Sequence, residues 1–292
     1  MFPLEAYSGS FPTMDLEAQM KLAKKVEDLG FASLFVRDSP LYDPNFGDVG
    51  GLYDPWMFLT YVAAHTDNIA LGTASIVTTL RHPLHTAKSA ATLDKISRKR
   101  FLFGVATGDR PIEFPAFKVD RDERAASFRE SIKVMKSIWN DQFPKIQTER
   151  VDLTQGDVVP KPDLSNIPVF GTGYGGQSVE WLAQNTDGWL FYPQDVQGQG
   201  KLIKKWQEKA GKFKPFAQVV AIDLSERPNE APKPIEAGFR SGHKFLIDYL
   251  HAYQGAGVNH MMFSLKHGSR PAEEVIQELG EYVLPHFPAI KV

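Results

Sequence analysis

The 292-residue chain carries 33 basic and 35 acidic side chains, a formal net charge of −2, so electrostatics give no reason to expect nucleic acid or an anionic membrane as a partner. It is 42% hydrophobic and 23% charged, ordinary for a globular chain that can bury one large core over residues 1–292. Cysteine is absent, which excludes disulfides, thiolate catalysis and zinc–cysteine sites. No apolar run approaches a membrane span and the amino terminus lacks the parts of a signal peptide, so a cytoplasmic location is expected.

The elements alternate. Phe2 to Tyr7 reads as a short first strand, and Asp15 as the cap of a helix with Leu16, Met20, Ala23 and Val26 on one face. Phe31 to Val36 is the second strand, and the polar loop from Arg37 to Leu52 is long enough to suggest function. Asp54 and Pro55 open the next helix. Ile69 to Asp109 then gives a strand, a crossover helix and a parallel strand; Thr73, Ala74 and Ser75 lie in the first strand, and Thr107, Gly108 and Asp109 follow the second. In parallel α/β folds those carboxyl ends are where ligands bind. A helix with Phe128, Ile132, Met135 and Trp139 on one face follows, then an irregular insertion from Asp141 to Asn166. Strands at Ile167 to Phe170, Trp189 to Tyr192, Gln218 to Ile222 and His260 to Ser264 continue the pattern, with a last helix near Pro271 to Val283. Eight such units predict a (β/α)₈ TIM barrel with loop insertions, a fold of roughly 250 residues before insertions.

The turn Gly171-Thr172-Gly173-Tyr174-Gly175-Gly176 fits G-x-G-x-x-G between a strand and a helix, and Asp195 follows at the distance of a ribose-binding acid. Taken alone it suggests a dinucleotide fold; its position mid-chain, with units on both sides, favours a phosphate-binding turn in a barrel, beside a purely structural alternative. His82 and His85 are spaced like two ligands, but no H-E-x-x-H pattern accompanies them and no metal is expected. Trp56, Phe58, Trp181, Trp189 and Trp206 read as core, Phe103 as a residue that could line the pocket, and Asp223 to Gly238 as a mobile lid or an exposed connector.

The run LGTASIVTTLRHPLHTAKSAATLDKISRKRFLFGVATGD resembles the central motif of the bacterial-luciferase-like flavin monooxygenases. Arg124 and Glu130, the segment Trp181 to Trp189, and Gly255 to Ser264 extend the resemblance over nearly the whole chain, while Val36 to Gly50 is similar to a less characterised, non-luminescent branch. The resemblance implies a barrel that binds FMN at the carboxyl ends of its strands and forms a homodimer. It implies a cis peptide at Ala74–Ser75 beneath the flavin ring, Thr107 and Gly108 along it, Arg124 near the phosphate, and Gly173, Tyr174, Gly175, Gly176, Gln177 and Ser178 as the phosphate loop.

One departure stands out. The family often carries histidine after the second strand, where this chain has Arg37, Asp38 and Ser39. Arg37 with Asp38, and Asp109 with Arg110, form two charge pairs at strand ends, readable as closures of the barrel mouth or as substrate and acid–base groups; His82, at the third-strand exit, joins these catalytic candidates or simply starts a helix. The resemblance implies an oxidoreductase in which reduced FMN, delivered by a separate NAD(P)H-dependent reductase, reacts with oxygen to monooxygenate a small organic substrate. The alternatives are deazaflavin-dependent hydride transfer and flavin binding without catalysis.

Overall fold

The computed structural model describes residues 1–5, 14–43, 45–46, 53–163 and 167–288. The first half runs α1 (Leu16–Asp28), β1 (Ser33–Val36), α2 (Pro55–His65), β2 (Ala70–Thr73), β3 (Ile76–Val77), α3 (Pro83–Ile96), β4 (Phe101–Ala106), α4 (Glu113–Ala116) and α5 (Arg124–Asn140). The second half runs β5 (Ile146–Gln147), β6 (Asp152–Leu153), β7 (Val169–Thr172), α6 (Val179–Asn185), β8 (Gly188–Phe191), α7 (Val196–Ala210), β9 (Phe216–Leu224), β10 (Lys233–Ile235), β11 (Gly238–Ser241), α8 (His243–Ala256), β12 (His260–Ser264) and α9 (Ala272–Glu278).

Strands β1, β2, β4, β7, β8 and β9 pair in that order, all parallel; β12 adds to β9, and β3 continues the line of β2 along β4. Closure comes from the amino-terminal segment. The Phe2 amide donates to the Phe35 carbonyl at 2.9 Å and the Met1 amino group to the Phe263 carbonyl at 2.7 Å, so these residues bridge β1 and β12. The chain is a TIM barrel, as the alternation predicts. The expected first strand from Phe2 is not a strand over its described residues: Pro3 has no N–H for a ladder, and Tyr7 lies outside the described residues.

Strand alternation sorts the side chains into two cores. Phe35, Leu190, Ala217 and Met262 fill the barrel interior, with Ala74, Leu102, Phe170 and Val219 packed against them. Their neighbours Trp189, Phe191 and Phe216 point outward against Val179, Leu182, Ile203, Trp206 and Tyr253 of the helices. Phe128, Ile132, Met135 and Trp139 are all buried, the face that the sequence predicts for α5. Phe103 departs from expectation: fully buried, it packs against Trp56, Phe101 and Trp139 on the helix side, away from the barrel interior.

The insertion after α5 carries the β5–β6 hairpin. The segment from Asp223 folds into a second hairpin, β10–β11, tied to the barrel rim by Arg240, whose Nη1 donates to Asp223 Oδ2 at 2.7 Å, and by the Ser225 hydroxyl, which donates to Glu230 at 2.5 Å. Among the described residues no helix is long and apolar enough to cross a membrane.

Candidate functional site

Inside the barrel, Thr172 is the next inward position after Phe170, one layer above the interior core. Its hydroxyl is hydrogen-bonded to that of Ser75, at the break between β2 and β3. The bridge spans β4, whose inward residues at this level are Gly104 and Ala106. A Cβ on Gly104 would stand 1.8 Å from the Thr73 carbonyl oxygen, so only glycine fits. The Ala74–Ser75 peptide is cis, the bond that the family resemblance singles out. These small and hydroxyl-bearing residues form a shallow floor at the strand ends.

One wall is built by Asp38. The sequence pairs it with Arg37, but its carboxylate, with the side chain only 1% exposed, is held by Arg81 through Nε and Nη2, each at 2.9 Å, and by the Val77 amide at 3.0 Å. Arg81 Nη2 also reaches Asp54 at 3.1 Å. Asp38 therefore fastens the end of β1 to β3, while Arg37, half-buried, sits beside it. His82 caps α3: its Nδ1 accepts from the Leu84 amide at 3.3 Å, which leaves Nε2 to donate to the Arg150 carbonyl at 3.1 Å. Both ring nitrogens are engaged. His82 and His85 line a groove of about 470 Å³ with Asp157, yet no group of metal ligands forms among the described residues.

At the end of β4, Asp109 is exposed and Arg110 is buried. Arg110 faces Glu113 rather than repeating a local pair with Asp109: its Nη1 lies 3.6 Å from the Glu113 carboxylate and its guanidinium sits 5.0 Å above the Phe46 ring. Glu113, only 1% exposed, escapes sequence reasoning because its burial depends on α4 folding under the mouth. That burial pushes its carboxyl above the ordinary glutamate range, against the opposing pull of Arg110 and of a hydrogen bond from the Leu41 amide. The Leu41 contact joins the loop after β1 to the loop after β4.

The glycine turn completes the rim. Gly173, Gly175 and Gly176 have φ of 57°, 56° and 69°, the left-handed region that only glycine enters cheaply. A Cβ on Gly176 would meet the Ala125 Cβ at 2.7 Å, and one on Gly175 would lie 3.5 Å from Thr107, so the turn adjoins both α5 and the end of β4. Gln177 secures it: its amide nitrogen donates to the Ala125 and Gly175 carbonyls, each at 2.9 Å, and its oxygen accepts from Arg129 at 3.0 Å. Arg129 is a residue that sequence reading missed. Arg124 starts α5 and donates to the Arg121 carbonyl at 2.7 Å; the Ser178 hydroxyl caps α6 by accepting from the Trp181 amide at 3.1 Å; Tyr174 is half exposed, edge-on to Trp189. Gly108, at φ 83°, packs on Val77 beside the floor. Asp195 is no ribose-binding acid in a dinucleotide fold: the turn belongs to a barrel, and Asp195 caps α7 by accepting from the Gly198 amide at 2.9 Å.

A floor without bulky side chains, beside a glycine turn flanked by arginines on α5, fits a flat ring system with an anionic tail. A family model described as luciferase-like monooxygenase matches residues 3–275. An uncharacterised Mycobacterium tuberculosis protein is 31% identical over 188 residues, covering 63% of this chain and 66% of its own. The F420-dependent glucose-6-phosphate dehydrogenase of Beutenbergia cavernae is 29% identical over 64% of this chain and 54% of its own, so the match spans less than two thirds of either relative. Among solved structures, a monooxygenase from Streptomyces bottropensis has a TM-score of 0.79 at 19% identity, with 93% of each chain covered. The matched span includes every strand of the barrel, and the chain belongs to the luciferase-like monooxygenase family.

Proposed function

We propose that this protein is a flavin-dependent oxidoreductase that uses reduced FMN and oxygen to monooxygenate a small organic substrate. The observation that carries the reading is the meeting of the left-handed glycine turn with the end of β4, directly beside the small-residue floor. Bound reduced flavin would supply two electrons, so that one oxygen atom enters the substrate and the other leaves as water. The protein's part is positional. Ala74, Ser75, Thr107 and Gly108 would support the ring. Gly173 to Ser178, with Arg124 and Arg129, would hold the phosphate.

Arg37, Asp109 and Arg110 would serve at the rim as substrate contacts. Asp38 and His82 act through what they hold: Asp38 fixes Val77 and Arg81, and His82 fixes the start of α3. Reduced flavin would come from a separate NAD(P)H-dependent reductase. Assembly as a homodimer would use α2, which contains no Asp, Glu, Lys or Arg and leaves Met57 78% exposed between Tyr53 and Tyr61, each 39% exposed. Such an uncharged apolar stripe on a surface helix suits a self-complementary two-fold contact.

A second reading, hydride transfer with a deazaflavin, draws support from the similarity to an F420-dependent dehydrogenase. Anaerobic titration with reduced FMN, followed by an oxygen pulse while absorbance is recorded, separates the two. The monooxygenase reading expects tight binding and an oxygenated flavin species that outlives the free one; weak FMN binding would move the assignment to deazaflavin.

A further inference from the structure

The hydroxyl bridge across the barrel floor has a chemical property that the cofactor assignment leaves unused. Ser75 is 8% exposed and Thr172 partly exposed, and the two bond to each other over Gly104. Each hydroxyl carries one donor hydrogen and can accept twice. When one donates to the other, the second hydroxyl's hydrogen remains, and among the described residues neither group has another side-chain hydrogen bond. An O–H at this floor that finds no acceptor is left unsatisfied once a ligand excludes water, so a ligand seated there is favoured if it presents an acceptor.

Resting on the flavin reading above, we infer that the Ser75–Thr172 hydroxyl pair is a specificity device that donates to position 5 of the bound ring in its oxidised state, the state left at the end of each turnover, and thereby selects a flavin over a deazaflavin. Oxidised flavin has a nitrogen at that position, with a lone pair to accept the bond. A deazaflavin has a C–H, which cannot accept. In 5-deaza-FMN the rest of the ring, including its carbonyl oxygens, is the same as in FMN, so discrimination between these two comes from one atom. The alternative role is a staple that only joins the β2–β3 break to β7 across β4. A staple would stabilise the barrel and hold both cofactors equally.

The test is isothermal titration calorimetry of the full chain with oxidised FMN and with 5-deaza-FMN, which share the phosphate tail and differ at that atom. Wild type should bind FMN about five- to ten-fold more tightly, the scale of one net hydrogen bond. The Ser75→Ala/Thr172→Val double variant, which removes both hydroxyls, should bring the ratio to near one, and Thr172→Ser, which keeps both, should leave it at the wild-type value. Equal affinities in wild type, or an unchanged ratio in the double variant with both ligands weakened together, would overturn the inference and leave the flavin site standing. A wild-type protein that binds neither oxidised ligand would overturn the inference, while the anaerobic titration with reduced FMN decides the flavin reading separately. Thermal unfolding of each variant confirms that the compared proteins are folded.

Discussion

Replacing Asp38 by asparagine tests whether the mouth is held by a buried charge. The carboxylate accepts three hydrogen bonds: two on Oδ2, from the Val77 amide at 3.0 Å and Arg81 Nε at 2.9 Å, and one on Oδ1, from Arg81 Nη2 at 2.9 Å. Asparagine keeps an oxygen for the first two and turns an NH₂ toward Nη2, so one charge-assisted bond is lost and two donors face each other. Hydrogen bonds to charged groups contribute about 1.5–3 kcal/mol, and breaking a buried pair costs about 3–5 kcal/mol. Arg81 is 26% exposed and retains Asp54, which softens the loss; about 2–4 kcal/mol is expected for Asp38→Asn. Urea unfolding at pH 7 measures it. Arg81→Met should cost a similar amount, and the double variant much less than the sum, because the two changes remove the same contact. Additive losses, or an Asp38→Asn variant within about 0.5 kcal/mol of wild type, would refute the clamp. Since Val77 follows Ser75 by two residues, FMN affinity should fall alongside stability.

Glu27 offers a pH-resolved case: its Oε1 accepts from the amides of Asp67, Asn68 and Ile69. Burial raises its pKa, but those amides and Lys24 outweigh burial and hold it at about 2 against an ordinary 4.5. With the folded value depressed, its contribution is present above about pH 4.5 and disappears as pH falls through about 2. Glu27→Gln should therefore cost about 2 kcal/mol at pH 7 and less at pH 3 by urea unfolding; an equal penalty at both would contradict the account. Gly176→Ala combines a φ of 69° with a 2.7 Å approach to Ala125 and should weaken FMN binding at least five-fold, on the order of 1–2 kcal/mol, in the same titration. Met57→Glu should convert a dimer to a monomer by light scattering while leaving the melting temperature nearly unchanged; a variant that stays dimeric places the interface elsewhere.

What the sequence discloses and what it hides divide by range. Period-3.6 burial identifies α5 because its apolar face is local, and the break of hydrophobic rhythm at Gly171 locates the rim for the same reason. The glycine also misleads. Read as turn, it ends the strand at Phe170, whereas β7 continues to Thr172 because Gly171 faces outward, where an added Cβ would meet Leu182 at 3.0 Å. The contacts that close the site join residues far apart: 43 positions separate Asp38 from Arg81, and 97 separate Ser75 from Thr172. Neighbouring charges such as Arg37 and Asp38 invite a local pairing, yet both lie past the end of β1, where the Asp38 carboxylate takes Arg81 and the Val77 amide from the β3 side. Glu113 shows the same logic in burial. Nothing in D-R-P-I-E distinguishes a solvated acid from a sequestered one until the loop after β1 is laid over it, and Leu41 is what lays it there. The barrel is therefore written in local periodicity, while the chemistry of its mouth is written in which strands become neighbours.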